Sequence, residues 1–347
     1  MIDRREETSL KFGLVYSVQS LTGDWRQICQ DVIEQVVLAE ELGFESVFIS
    51  EHHLVDNGYF PSVMPFCAAL AARTSRIKLG TAVVLLPLHN PFAVAEDSAV
   101  VDNLSKGRFI LGLGVGYRQE EFDAFGVPLK QRGARFAEGV PLVRRLLSEE
   151  NVTHEGRFWN LKDVTMTPRP VQKPCPPIWI AAKQEATIRR AARIGDEWFG
   201  DPVTPYKILK ERMVAYRDEL AKVGRPFEDL ENPLFKEAFV GDTTDQAWED
   251  SKDGTLYNYK EYLSWGHLQD DEGREVRDFN EAMETLRRRF IIGSPRHVIN
   301  ECERYSEELG IRHFIFRMQG PVTPHEKVIR SIRLMGEEVI PHFAGKT

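Results

Sequence analysis

A (β/α)8 barrel is the fold class this sequence predicts, and three observations lead to it. Eight short apolar runs each lead into a stretch with helical periodicity, the runs are apolar almost throughout, and 347 residues suit one such domain. Strands covered on both faces show this continuous pattern, whereas half-exposed strands alternate. An open doubly wound sheet uses the same local units, so closure into a ring is inferred from the count of eight.

The first run, LKFGLVYSV (10–18), is followed by Asp24 as a helix N-cap. Ile28, Val32, Val36 and Ala39 then share one helical face that ends near Gly43. SVFIS (46–50) leads to a helix from Pro61, KLGTAVVLL (78–86) to one after Pro91, and RFILGLGV (108–115) to one over 135–147. In the second half PPIWIAA (176–182) precedes a helix ending near Gly195, and EWFGD (197–201) precedes one over 205–223. LFKEAFVG (234–241) precedes a helix beginning near Thr244, and RHFIFRM (312–318) precedes a last one from Pro324.

Two segments fall outside the repeat. VTHEGRFWNLKDVTM reads as a hairpin turning at Glu155 and Gly156. The polar, aromatic-rich stretch 251–290, with Tyr257, Tyr259, Tyr262 and Trp265, reads as an insertion between the seventh and eighth strands. Long loops of this kind often act as lids. The whole of 1–347 is read as one domain.

Composition narrows the partners. A net charge of −8, with Lys and Arg scattered among acids, offers no footprint for nucleic acid. No apolar run reaches the roughly 20 residues needed to span a bilayer. The first 13 residues carry charges but no apolar leader core, so a cytoplasmic location is expected. Cys29, Cys67, Cys175 and Cys302 form no C-x-x-C pair, and neither a disulfide framework nor a metal site is expected.

Functional groups of such a barrel lie at the C-terminal ends of its strands, where Glu51, His52 and His53 stand after the second run. Adjacent residues of an extended chain point to opposite sides, so one histidine faces the mouth and the pair is a poor joint metal ligand. A histidine there can handle a proton near neutral pH. Gly112, Gly114 and Gly116 close the fourth run; they either let a flat ligand approach the backbone or relieve crowding in a narrow barrel. Their G-x-G-x-G spacing is not the dinucleotide fingerprint, and 117–125 reads as a polar loop, which disfavours a Rossmann NAD site. After Ala182 a helix opens with Lys183, Gln184 and Thr187 at its start, an arrangement suited to a phosphate or to plain capping.

Taken together, EHH after the second run, LGTAVVLLPLHNPFAVAEDSAVVDNLSKGRF, and IGSPRHVINECERYSEELGIRHFIFRM resemble the bacterial luciferase-like monooxygenase family over 10–343. The resemblance implies a (β/α)8 barrel that binds reduced FMN, or in other branches the deazaflavin F420, at its strand ends. FMN-dependent members use O2 to oxygenate a small organic substrate, and a separate flavin reductase is implied because the chain has no NAD motif. His52 is the implied catalytic histidine, and Ala82-Val83 falls where relatives have a cis peptide beneath the flavin ring. Glu51, Gly112, Gly114, Gly116, Tyr117 and Ala182 are implied around the cofactor, with Lys183, Gln184 and Thr187 at its phosphate. The family's reactive cysteine and phosphate-contacting arginine are replaced by Gly114 and Val115. A homodimer through the helices after the second and third strands is also implied. Hydride transfer with F420 without O2, and flavin binding without catalysis, are the alternative readings.

Overall fold

The computed structural model describes residues 10–344. Residues 1–9, part of the stretch read as lacking a leader, lie outside them. Eight parallel strands among the described residues form a ring: β1 (Lys11–Tyr16), β2 (Ser46–Ile49), β3 (Lys78–Thr81), β4 (Phe109–Gly114), β5 (Ile178–Ala181), β6 (Glu197–Phe199), β7 (Pro233–Val240) and β8 (His313–Arg317). β8 returns to β1 in the register Lys11↔His313. The seam between β6 and β7 is closed at Gly200, whose N–H donates to Pro233 O at 3.0 Å and whose carbonyl accepts from Phe235 N at 3.0 Å. The parallel sheet is thus curled into a TIM-barrel-like ring, and the open-sheet alternative is set aside.

Helices α1 (Trp25–Glu41), α2 (Val63–Ala71) and α3 (Pro91–Leu104) follow the first three strands. Asp24 caps α1 as the sequence predicts, accepting from Gln27 N at 3.0 Å. After β4 the chain forms α4 (Gln119–Ala124) and α5 (Arg132–Ser148); after β5 and β6 it forms α6 (Glu185–Ile194) and α7 (Tyr206–Lys222). The stretch 117–125, expected as a polar loop, therefore contains a short helix. Its polar positions hid the turn, because within α4 only Glu121 and Phe122 are buried.

The segment 251–290 is likewise not one loop. α8 (Thr244–Ser264) runs through its first third, 265–278 is irregular apart from a bridge between Gln269 and Glu275, and α9 (Phe279–Arg287) follows. Gly254 weakens the helical pattern in the sequence, yet it lets α8 lie directly on Gly320: a Cβ added at Gly254 would meet Gly320 Cα at 2.9 Å. A short strand, Ile291–Gly293, pairs with the outer end of β7, and α10 (Pro295–Leu309) leads into β8. The hairpin forms as expected from Val152–Glu155 and Asn160–Val164, its turn held by Gly156 N donating to Trp159 O at 3.0 Å.

Inside the ring one residue from nearly every strand meets in a layer: Val15, Phe48, Ile110, Trp179, Phe199, Phe235 and Ile315. Phe48 and Trp179 stack at 5.0 Å between centroids. Two positions further on, strand alternation brings the next inward residues to the C-terminal rim. These are Ser17, Ser50, Gly112 and Ala181 on one half, and Asp201, Glu237 and Arg317 on the other. The floor of any site at this end is therefore small on the β1–β5 side and charged on the β6–β8 side.

Glu197 reinforces the β6–β7 seam, its carboxylate accepting from Glu231 N at 2.8 Å and Asn232 N at 3.2 Å. Burial raises its pKa to about 7, against the pull of those two N–H groups. Between the ordinary carboxylate range and pH 7 the folded state then binds more protons than the unfolded state, so this group's contribution to stability falls as pH rises and levels off above 7. Glu197→Gln removes that titration. Urea unfolding at pH 5 and pH 8 should show the stability difference shifting toward the variant by on the order of 2–3 kcal/mol at the higher pH; a pH-independent difference would refute the assignment.

Candidate active site

A cavity of about 840 Å³ opens at the C-terminal ends of the strands. One wall carries small residues: Ser50, Ala82, Gly114, Ala181 and Ala182. β3 ends at Thr81, and the next peptide, Ala82-Val83, is cis, as the family resemblance implied. Thr81 is locked to β4 twice, its Oγ1 donating to Gly112 O at 2.7 Å and accepting from Gly112 N at 2.9 Å. A Cβ at Gly112 would lie 1.8 Å from Thr81 O, and one at Gly114 would lie 2.4 Å from Val83 Cγ2.

The alternating glycines thus make room for β3 and the turn after it. Gly112 itself does not line the cavity, whereas Gly114 and Gly116 do. A side chain in place of Gly114 would meet the Val83 methyl as it stands here. Gly116 has φ +70°, a left-handed conformation that favours glycine, and its position abuts Phe122 of α4.

His52 is 7 % exposed and lines the cavity. Its Nδ1 lies 2.8 Å from Glu121 Oε1, and its Nε2 lies 3.4 Å from the Tyr117 hydroxyl. Tyr59, Trp265 and Tyr117 surround the imidazole at centroid distances of 4.6, 5.2 and 5.6 Å. His53 turns the other way, as alternation requires: its Nε2 is 2.8 Å from Glu51 Oε1, which also meets His89 Nε2 at 2.7 Å. Burial pushes Glu51 upward, but the hydrogen bonds and charges of His53 and His89 outweigh it and hold the carboxyl below its usual range. Glu51 Oε2 accepts from Leu85 N at 3.2 Å, so this carboxylate braces the turn that carries Val83. The ligand-type atoms of Glu51, His53 and His89 lie within 4.8 Å of one another, a set able to hold a cation, although hydrogen bonds already join them.

At the far end of the cavity α6 begins. Gln184 is its N-cap residue, and Lys183, Thr187 and Arg190 line the space with Lys130 just before α5 and Arg132 at its start. Exposed backbone N–H groups at a helix start together with these cations form an anion-binding donor set. Lys183 Nζ donates to His267 O at 2.7 Å, and burial lowers the lysine's pKa despite the opposing charge of Asp201.

The irregular stretch 265–278 covers the opening. His267 stacks on Tyr117 at 4.4 Å with an interplanar angle of 7°, and Arg118 lies 4.7 Å over the Trp265 ring. Burial, with the charge of Lys183, pushes the His267 pKa down to about 4, so a neutral ring makes that stack at pH 7. Glu121, Arg118, Tyr59, Asp201, His267, Lys130, Arg132 and Arg190 were not singled out from the sequence. They come from loops and helices that only the closed ring brings together, although the aromatics of 251–290 did point to that segment.

Such a barrel, with a small-residue wall, a histidine at its rim and cations beside a helix start, offers room for a flat ligand with an anionic end. The chain belongs to the luciferase-like monooxygenase family, whose model matches residues 10–313. A monooxygenase structure from Streptomyces bottropensis superposes with a TM-score of 0.86 at 30% identity, covering 96% of this chain and all of that one. An F420-dependent glucose-6-phosphate dehydrogenase of Microbacterium testaceum is 30% identical over 90% of this chain and 93% of its own length. The oxygenase component of the flavin-dependent trigonelline monooxygenase of Acinetobacter baylyi is 26% identical over 92% and 91%. Relatives thus use a flavin or F420. No helix among the described residues is long and apolar enough to cross a membrane.

Gly112→Ala places a methyl group against a backbone carbonyl that cannot swing aside. The variant should lose about 3 kcal/mol of stability or fail to fold, read by urea denaturation; wild-type stability would show that the β3–β4 approach is looser than described.

Proposed function

We propose that this chain is the oxygenase component of a two-component monooxygenase, taking reduced FMN from a separate reductase and using O2 to oxygenate a small organic substrate. The observation that carries this reading is His52, whose Nε2 faces the cavity inside an enclosure of Tyr59, Tyr117 and Trp265. The lining residues fit the cofactor. Ala82, Val83, Gly114, Ala181 and Ala182 leave a flat face for a fused ring, and Gln184, Thr187 and Arg190, backed by Lys130 and Arg132, suit a terminal phosphate. Reduced FMN, when bound, supplies the two electrons with which O2 yields one oxygen atom to the substrate and one to water.

The protein's part is to orient and to keep dry. His52 accepts or returns a proton at Nε2, and the aromatic rings around it exclude competing solvent. The stretch 265–278 acts as a lid, anchored by Lys183 at the His267 carbonyl and by the His267–Tyr117 stack. A homodimer through α2 and α3, where Val100 and Leu104 are exposed, belongs to the same reading. The second reading, hydride transfer with F420, draws support from the cationic rim of Lys130, Arg132 and Arg190, which also suits a longer anionic tail.

Titration with reduced FMN and reduced F420 under anaerobic conditions separates the two: micromolar or tighter binding of FMN is expected, and tight binding of F420 alone would overturn the proposal. His52→Ala should bind reduced FMN within about threefold of wild type yet change the rate of its reoxidation by O2 at least tenfold in stopped flow. An unchanged rate would remove His52 from the chemistry.

A further inference from the structure

We propose that Glu121 is the positioning residue for His52, fixing its ring so that Nε2 is the nitrogen offered to the cavity and stabilising the imidazolium formed when that nitrogen is protonated. The inference rests on the reading that His52 moves a proton.

Glu121 is 0 % exposed, on a short helix that begins just beyond the Gly116 turn. Its Oε1 faces three donors: His52 Nδ1 at 2.8 Å, His53 N at 2.9 Å and Arg118 Nη1 at 3.4 Å. Its Oε2 is buried and has no hydrogen-bond partner among the described residues. Burial alone would push this carboxyl up, yet those donors hold it below its ordinary range, so it faces His52 as an anion.

A neutral amide could turn its oxygen toward the same three donors. Charge is what the amide cannot supply. Against an anion, the Nδ1 of a neutral His52 must carry the proton, which leaves the Nε2 lone pair directed toward the cavity and the Tyr117 hydroxyl. When Nε2 takes a proton from a donor in the cavity, the cation so formed is already paired with Glu121; the proton stays on His52, and no second transfer is required.

The clamp is rigid on both sides. Arg118 Nη1 also donates to His53 O at 2.6 Å, tying the end of α4 to the chain after β2, and the Arg118 guanidinium is covered by the Trp265 ring. The lid residue that packs against His52 thus also covers the cation that holds Glu121.

The test reads the tautomer directly and the chemistry separately. Protein labelled with 15N-histidine should show His52 in the Nδ1–H form, and Glu121→Gln, whose amide oxygen the His53 and Arg118 donors hold at the same place, should keep that tautomer while removing the charge. In stopped flow with reduced FMN and O2, Glu121→Gln should change the reoxidation rate at least tenfold while affinity for reduced FMN stays within about twofold. Glu121→Asp, which keeps the charge, should recover most of that loss. An Nε2–H tautomer in the wild-type protein overturns the proposal and needs no variant to fold. So does a Glu121→Gln rate within twofold of wild type while His52→Ala is impaired. If His52→Ala itself reacts as wild type, it is the reading of His52 as a proton carrier that fails, and the tautomer then decides the pairing alone.

Discussion

The contact on which the rest of this molecule depends is the crossing of Thr81 over Gly112, where a carbonyl occupies the place a side chain would take. It draws β3 and β4 together at the rim and locks them with two hydrogen bonds through one hydroxyl. From there the chain turns through Ala82-Val83 onto the flat wall of the cavity. Val83 in turn uses the space left at Gly114, and Glu51 holds Leu85 just beyond. Small residues on this half of the rim therefore follow from the need to bring two backbones within hydrogen-bonding distance, and the ligand-sized space is what remains above them.

On the opposite half the constraint is charge. The pair Arg317–Glu237 is buried, with Arg317 Nη1 donating to the Tyr262 hydroxyl at 2.9 Å. Asp201 accepts from Val203 N, Thr204 N and the Thr204 hydroxyl at its own turn. These groups are matched locally, so the cavity gains a polar side whose Arg317, Glu237 and Asp201 charges are partnered within the wall. The net positive character at the start of α6 is confined to the end where an anion would sit.

How far the sequence could be read follows from where each signal is local. Strand positions came from continuous apolar runs and Asp24 from capping chemistry, while strand alternation separated His52 from His53 and the family resemblance chose His52. Almost all of the proposed site positions line one cavity; Gly112, which does not, was read under two possible roles, and the structure answers with crowding. What the sequence hid was non-local. Nothing in the string RQEEFDAFG tells that Glu121, rather than Glu120, is the buried acid, because that depends on which face α4 turns toward β2. Arg132 and Arg190 lie 58 positions apart and share a wall only once the ring is closed. α8 was cut short because its buried face is built of Gly254, Thr255 and Asn258 rather than aliphatic residues.

The forking of β7 bears on how molecules enter. Its first half, Pro233–Glu237, pairs with β8, while its last three residues pair with Ile291–Gly293. The covering stretch 265–278 is thereby bounded by a long helix that leaves β7 and a helix–strand unit that comes back to it. Both ends are fastened to the same strand, so a lid movement of the kind proposed would swing about two fixed posts and leave the barrel's hydrogen-bond ladder whole.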